Sequence, residues 1–383
     1  MKAPLGLFAW ACRQIARQPG TALLTGITIC ALVTASATVL LLEAAFAATA
    51  RELLGAGPSH VVRAVDATGW RPLIAGTAAE TARTVVGVTA ARPRLWGVVR
   101  SAGGAAVTAL GVVDPAEFAT LGQAPQQGQA IVGPGVALDA ADGAPRLTLV
   151  AAGGSRTFVV TTQLDAASGL ALHDAVLLHA DDARTVLGLG PEQASDLAVW
   201  VYHDAEQAAV AQELAAAFAG AVRVTTRTEA IGAAIAGFAR EGSLRLLLLV
   251  PATLALCLLL VVAVRRGRSA RRELGLYKAL GWSTGDLVRL QLYGALAVSV
   301  PAVLLGLAGA GWLVFGPARS WPAQWLFAWP GRAPVLVLTP AAGLQVAFGV
   351  ASTVLVPWLC ATLLPALRSA TVDPQDLLRG GRA

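Results

Sequence analysis

Residues 265–291 read RRGRSARRELGLYKALGWSTGDLVRLQ. The stretch carries Arg265, Arg266, Arg268, Arg271, Arg272, Lys278 and Arg289 against Glu273 and Asp286. On its N-terminal side, between Arg245 and Arg265, lie 19 residues without a formal charge, LLLLVPATLALCLLLVVAV. On its C-terminal side, between Arg289 and Arg319, lie 29 more. A dense positive cluster between two apolar runs is the pattern of a cytoplasmic loop joining membrane spans.

The rest of the chain agrees. It has 383 residues, 56% hydrophobic and 14% charged, with a mean hydropathy of +0.64, whereas soluble domains are about 25% charged. Two further charge-free gaps run from Arg17 to Glu43 (25 residues) and from Arg332 to Arg368 (35 residues). A hydrocarbon core of about 30 Å takes roughly 20 helical residues, so each gap holds one span. The sequence predicts an α-helical integral membrane protein with four transmembrane helices, at 21–46, 241–264 (with a stalk), 286–316 and 341–366. The first run exceeds the roughly 7–15 apolar residues of a signal peptide and is read as an uncleaved helix.

Lysine and arginine near the spans set the orientation. The segments 1–20, 265–289 and 367–383 hold 13 basic residues and four acidic ones. Residues 47–240 hold 13 arginines against 17 acidic residues. Both termini and the 265–285 loop are therefore expected in the cytoplasm, with 47–240 and the 317–340 loop outside. The net charge of +6 reflects this asymmetry and gives no reason to expect nucleic acid. Trp312, Trp321, Trp325 and Trp329 crowd the outer connection and read as interface anchors in the bilayer.

The insert at 47–240 is long enough for one or two α/β domains with their own core. RLWGVVRS and AAVTALGVV flank a glycine turn as one hairpin, and PRLTLVAAGGSRTFVVTTQL forms another. DAVLLHA and DLAVWVYH read as further strands. DDARTVLGL and DAEQAAVAQELAAAFAG read as helices, the second with an Asp at its start and a Gly at its end. RTEAIGAAIAGFAREGSLRLLLLV reads as a stalk helix continuing into the second span. The four cysteines, Cys12, Cys30, Cys257 and Cys360, all lie outside the insert, which therefore has no disulfide framework.

Inside the basic loop, SARRELGLYKALG places Leu274, Tyr277 and Leu280 at threefold spacing, a partly amphipathic helix. Gly281 suits the left-handed residue that ends a helix. Ser283 with Asp286 three residues on has capping-box spacing. The loop is thus a short helix, a tight turn and the restart of a membrane helix.

RRELGLYKALGWSTGDL resembles the stretch RRRE-[IL]-G-x-x-[KR]-A-[LI]-G-A-[ST] of the FtsX/MacB-type permeases, membrane subunits of one class of ABC transporters. The matching positions are Arg271, Arg272, Glu273, Leu274, Gly275, Lys278, Ala279, Leu280 and Gly281. Trp282 departs from the small residue usual there. The tail LLPALRSATVDPQDLLRG is similar to the family's closing pattern, through Pro365, Ala366, Arg368, Ala370, Pro374, Leu378 and Arg379. IVGPGVALDAADGAPRLTLV looks like part of a MacB-like external domain. The resemblance implies a large extracytoplasmic α/β domain between helices 1 and 2. It also implies that residues 271–281, with Tyr277 packing among them, form a coupling helix seated on a cytoplasmic ABC ATPase subunit. Further implied partners are a second permease copy or a homologous permease, and a periplasmic adaptor or outer-membrane component.

The chain's own chemistry points the same way. A P-loop ends in Gly-Lys-Ser/Thr, and neither Lys2 nor Lys278, the only lysines, ends such a loop. No cofactor is expected; ATP is bound by the partner subunit. No HExxH or GxSxG motif is present. His173 and His179 at the ends of a strand stand about 20 Å apart, too far to share one ion, so no metal or catalytic site is expected. The spans carry no central ionisable residue, which argues against a proton or sodium path. The small-residue run GLAGAG at 306–311 fits either intramolecular packing or dimerisation. The reading is a permease subunit of an export or extraction system in a bacterial inner membrane, moving a lipid, lipoprotein, peptide or drug. The alternatives are an FtsX-like signal coupler, activating a cell-wall hydrolase or sensor outside, and an anchor with no ATPase partner.

Overall fold

A computed structural model describes residues 4–114, 124–139, 144–151, 154–165, 172–218, 222–240, 250, 252–262, 276–316 and 336–371. The chain divides into two compact units, one of 1–45, 240–322 and 338–383, the other of 46–239 and 323–337.

The first unit is helical. Helix α1 (Pro4–Arg17) is amphipathic and is followed almost at once by α2 (Pro19–Gly55). Proline suits the first turn of α2, where the missing N–H has no helical acceptor to lose. Later come α7 (Ala252–Val262), α8 (Thr284–Phe315) and α9 (Pro340–Thr371). Among the described residues three helices, α2, α8 and the Pro340–Leu364 part of α9, are long and apolar enough to cross a membrane. The described part of the expected second span, α7, has only 11 residues; 241–249, 251 and 263–275 lie outside the described residues. Helices α8 and α9 continue through Pro301 and Pro357.

Helices α2 and α8 pack through GLAGAG. A Cβ on Gly306 would lie 2.8 Å from the Cys30 carbonyl oxygen and from Val33. Only glycine permits that approach, and Thr34 Oγ1 donates to the Gly306 carbonyl at 3.1 Å across it. At Gly306 the small-residue run serves contact within the chain.

The described residues of the second unit hold twelve strands. These are β1 (His60–Asp66), β2 (Gly69–Arg71), β3 (Leu73–Ile74), β4 (Val88–Ser101), β5 (Ala106–Val112), β6 (Gln129–Val132), β7 (Arg146–Ala151), β8 (Gly154–Gln163), β9 (Ala175–His179), β10 (Gln193–Ala194), β11 (Asp196–Val201) and β12 (Val222–Thr226). Its helices are α3 (Ala75–Arg83), α4 (Ala180–Leu187), α5 (Gln207–Ala217) and α6 (Arg227–Arg240). Ten strands form one sheet in the order β12-β1-β11-β4-β5-β9-β6-β8-β7, with β2 on β1. Arg100 and Ser101 of β4 also pair with β7, so β4-β5-β9-β6-β8-β7 closes into a six-stranded barrel. Closure removes the edge strands.

The long strand β4 serves both halves of the sheet: residues 88–94 pair with β11 and 95–100 with β5. Two cores result. One fills the barrel with Leu95, Val107, Leu147, Leu149, Phe158 and Val176, covered by Ala183 and Val186 of α4. The other lies between the open strands and helices α3 and α5, around Val62, Leu197, Val199, Val210 and Leu214.

Both expected hairpins are present, β4–β5 and β7–β8. The start of α5 differs from the expectation. Asp204 lies in a preceding 3₁₀ turn, Asp204–Glu206, and binds Gln207 and Arg227; no side chain caps α5. Helix α6 is described only to Arg240, so its continuation into a span lies outside the described residues. The Val337 N–H donates to Thr49 Oγ1 at 2.9 Å, tying the chain just before α9 to the C-terminal part of α2.

Candidate coupling corner

The corner is built from the backbone outward. A helical turn at 276–279 ends at Gly281, whose φ of +86° lies in the left-handed region. The Gly281 N–H donates to the Lys278 carbonyl at 3.0 Å and the Trp282 N–H to the Tyr277 carbonyl at 3.1 Å. This pair of bonds is a Schellman motif, whose usual companion is an apolar contact across the turn. Here the Tyr277 and Trp282 rings provide it, with centroids 5.3 Å apart.

The next helix begins two residues later. Ser283, in an extended conformation, accepts the Asp286 N–H on its hydroxyl at 3.1 Å. Asp286 sits in the first turn of α8, where its charge complements the helix dipole. One helix is thus closed and another opened with only Trp282 and Ser283 past the Gly281 turn. The connection has little slack.

A third element braces it. Trp10 of α1 meets both rings of the corner, with centroids 6.5 Å from Tyr277 and 6.1 Å from Trp282. Two residues earlier, Phe8 packs edge-on against Tyr293 of α8 at 6.1 Å. Leu7 and Ala11 on the same side of α1 are fully buried. The bulky Trp282, unusual beside the resembled pattern, fills the space between Trp10 and Tyr277.

Of the predicted site residues, Tyr277, Lys278, Ala279, Leu280 and Gly281 belong to this corner; Arg271, Arg272, Glu273, Leu274 and Gly275 lie outside the described residues. Tyr277 and Lys278 are half-buried, whereas Leu276, Ala279 and Leu280 are exposed. The apolar surface that the corner leaves uncovered is therefore on Leu276 and Leu280, while the Tyr277 ring is engaged within the chain. The brace from Trp10 escaped sequence reasoning, although the regular apolar spacing of Leu7, Phe8, Trp10 and Ala11 signals an amphipathic helix.

Among the described residues no group of His, Cys, Asp and Glu has the spacing of a metal site. His60 is buried, with Nε2 2.7 Å from the Gln207 carbonyl. His173 is buried in the turn before β9, and His179 ends that strand and accepts the Asp181 N–H at the start of α4. Trp312 lies on α8; Trp321, Trp325 and Trp329 are outside the described residues.

Residues 245–364 match the family model described as FtsX-like permease C-terminal. No curated protein matches the chain. Among solved structures, the periplasmic region of MacB from Actinobacillus actinomycetemcomitans is similar at a TM-score of 0.27 and 7% identity, over 44% of this chain and 88% of that one. The matched region holds the described corner and the helices on either side of it, so it is in residues 245–364 that the chain is similar to the FtsX-like permeases.

Proposed function

We propose that the chain is the non-catalytic membrane subunit of an ABC-type export or extraction system. It transmits ATP-driven motion of a separate ATPase subunit to its extracytoplasmic domain. The observation that supports this most is the corner: a left-handed turn at Gly281 and a cap at Ser283 with only Trp282 between, braced by Trp10 and leaving Leu276 and Leu280 uncovered. A rigid junction bearing an apolar patch, a few residues after Arg271, Arg272 and Glu273 in the sequence, is suited to sit in a groove of a motor subunit and to move α8 with it.

In this reading both termini and the 265–285 loop face the cytoplasm of a bacterial inner membrane, and the ten-stranded domain faces outward. The working unit is a dimer with a second copy or a homologous permease, with or without an envelope adaptor. ATP is bound by the partner alone. The cargo is a lipid, lipoprotein, peptide or drug.

Co-purification with the ATPase tests the reading. Glu273→Lys with Leu274→Asp, and separately Leu280→Asp, should each release the ATPase or abolish its stimulation while membrane insertion is unchanged. Normal association in both variants would reject the coupling corner. A signal coupler of the FtsX kind would activate an external hydrolase or sensor without moving solute, so transport into reconstituted vesicles separates the two.

A further inference from the structure

Three arginines far apart in sequence converge on one cavity of the external unit. Arg63 on β1, Arg94 on β4 and Arg227 at the start of α6 line a space of about 290 Å³, with apolar walls that include Leu54, Val61 and Ala230. Carboxylates neutralise part of the charge. Arg94 is held bidentately by the buried Asp196, through Nε to Oδ1 and Nη2 to Oδ2, both at 2.8 Å. Arg63 reaches Asp196 only through Nε at 3.5 Å, and Arg227 pairs with the exposed Asp204 at 3.2 Å. Three guanidiniums thus face two carboxylates.

The donors are also fixed in place. The Arg63 guanidinium carbon lies 5.1 Å from the Trp70 ring centroid and 4.6 Å from that of Trp96, cation–π contacts that restrain the group. Trp96 is itself anchored, its indole N–H donating to Asp196 at 2.7 Å. Arg227 donates through Nη2 to the Gly57 carbonyl at 2.8 Å, while its Nε is buried with no hydrogen-bond partner among the described residues. A buried donor without an acceptor costs free energy, and an anion in the cavity would supply one.

We propose that this cavity binds a phosphate-type oxyanion carrying an apolar substituent. A guanidinium fork matches the oxygens of a phosphate ester in spacing and charge. Thr225, opposite Val61 in the sheet register, and Thr226, whose hydroxyl accepts the Glu229 N–H, complete the lining. The apolar walls and the volume accommodate more than a bare ion. The chemistry is shared by a phospholipid headgroup with its glycerol and by a soluble phosphate ester. The site lies within the external unit, so it stands or falls independently of the ATPase reading.

The test is calorimetric titration of the full-length chain in a non-ionic detergent, without the ATPase. The probes are inorganic phosphate, glycerol phosphate and dihexanoyl phosphatidylglycerol, with dihexanoyl phosphatidylcholine as the control. Binding of the anionic probes is expected, tighter for the substituted ones than for phosphate. Arg63→Gln, and independently Ala230→Glu, which places a carboxylate in the cavity, should each weaken it by about tenfold or more, and Arg63→Lys by less. Tighter binding of phosphatidylglycerol than of glycerol phosphate assigns the anion to lipid; equal binding assigns it to a soluble ester. Absence of binding by every anionic probe, or equal affinity in wild type and both variants, overturns the proposal.

Discussion

Arg94 and Asp196 meet fork to fork, two nitrogens on two oxygens at 2.8 Å each, with the carboxylate fully withdrawn from solvent. They sit on neighbouring strands, paired directly in the register of β4 and β11. Because Asp196 also accepts from Trp96, its removal strands several donors at once. Asp196→Ala should cost about 3 kcal/mol, the lower part of the range for breaking a buried pair. Asp181→Ala, which breaks the exposed 3.0 Å pair with Arg184, should cost about 1 kcal/mol or less. Denaturant titration of the full chain in detergent, read by tryptophan fluorescence, compares the two; equal costs would refute the distinction.

The contact of Gly306 with Cys30 and Val33 makes a second contrast. Gly306→Leu must push α2 and α8 apart, so the variant should show a lower Tm and loss of monodisperse protein on gel filtration. Gly311 lies on the same helix, and a Cβ there would meet nothing within 4 Å. Gly311→Leu should behave as wild type.

At the corner, Gly281→Ala places a side chain at a φ of +86°, which costs about 1 kcal/mol. Ser283→Ala removes the cap on α8 and costs a similar amount, about 1 kcal/mol. Hydrogen exchange at the Trp282 and Asp286 amides should speed up by about fivefold in either variant, with α9 unchanged. Trp10→Ala should loosen the same amides from a distance of 272 positions in sequence.

Asp174, at the foot of β9, is held above the usual carboxylate range, chiefly because burial disfavours its charge; the neighbouring His173 acts in the opposite sense. A carboxyl whose native pKa is raised favours the fold in acid, and that contribution is lost as pH rises through the native value. Asp174→Asn should therefore raise the Tm at neutral pH. The gain should vanish below about pH 4, where the unfolded carboxyl is also protonated. A gain that is constant across pH would refute this.

Features carried by a few adjacent residues were legible in the sequence. Gly281 and the Ser283–Asp286 spacing identify the corner because a left-handed residue and a cap are local requirements. The hairpins β4–β5 and β7–β8 follow likewise from alternation around short turns. What depends on distant partners was not legible. Nothing in MKAPLGLFAW announces that Trp10 will reach Trp282. Barrel closure rests on two residues of β4 meeting β7, and the arginine cavity gathers positions 63, 94 and 227. The cap expected at Asp204 failed because its carboxylate found Gln207 and Arg227 instead.

Helix α2 runs for 37 residues without interruption, about 55 Å at 1.5 Å per residue, against a hydrocarbon layer of about 30 Å. The rod is thus about 25 Å longer than the layer is thick, so the chain leaves the span still helical and reaches β1 with only residues 56–59 between.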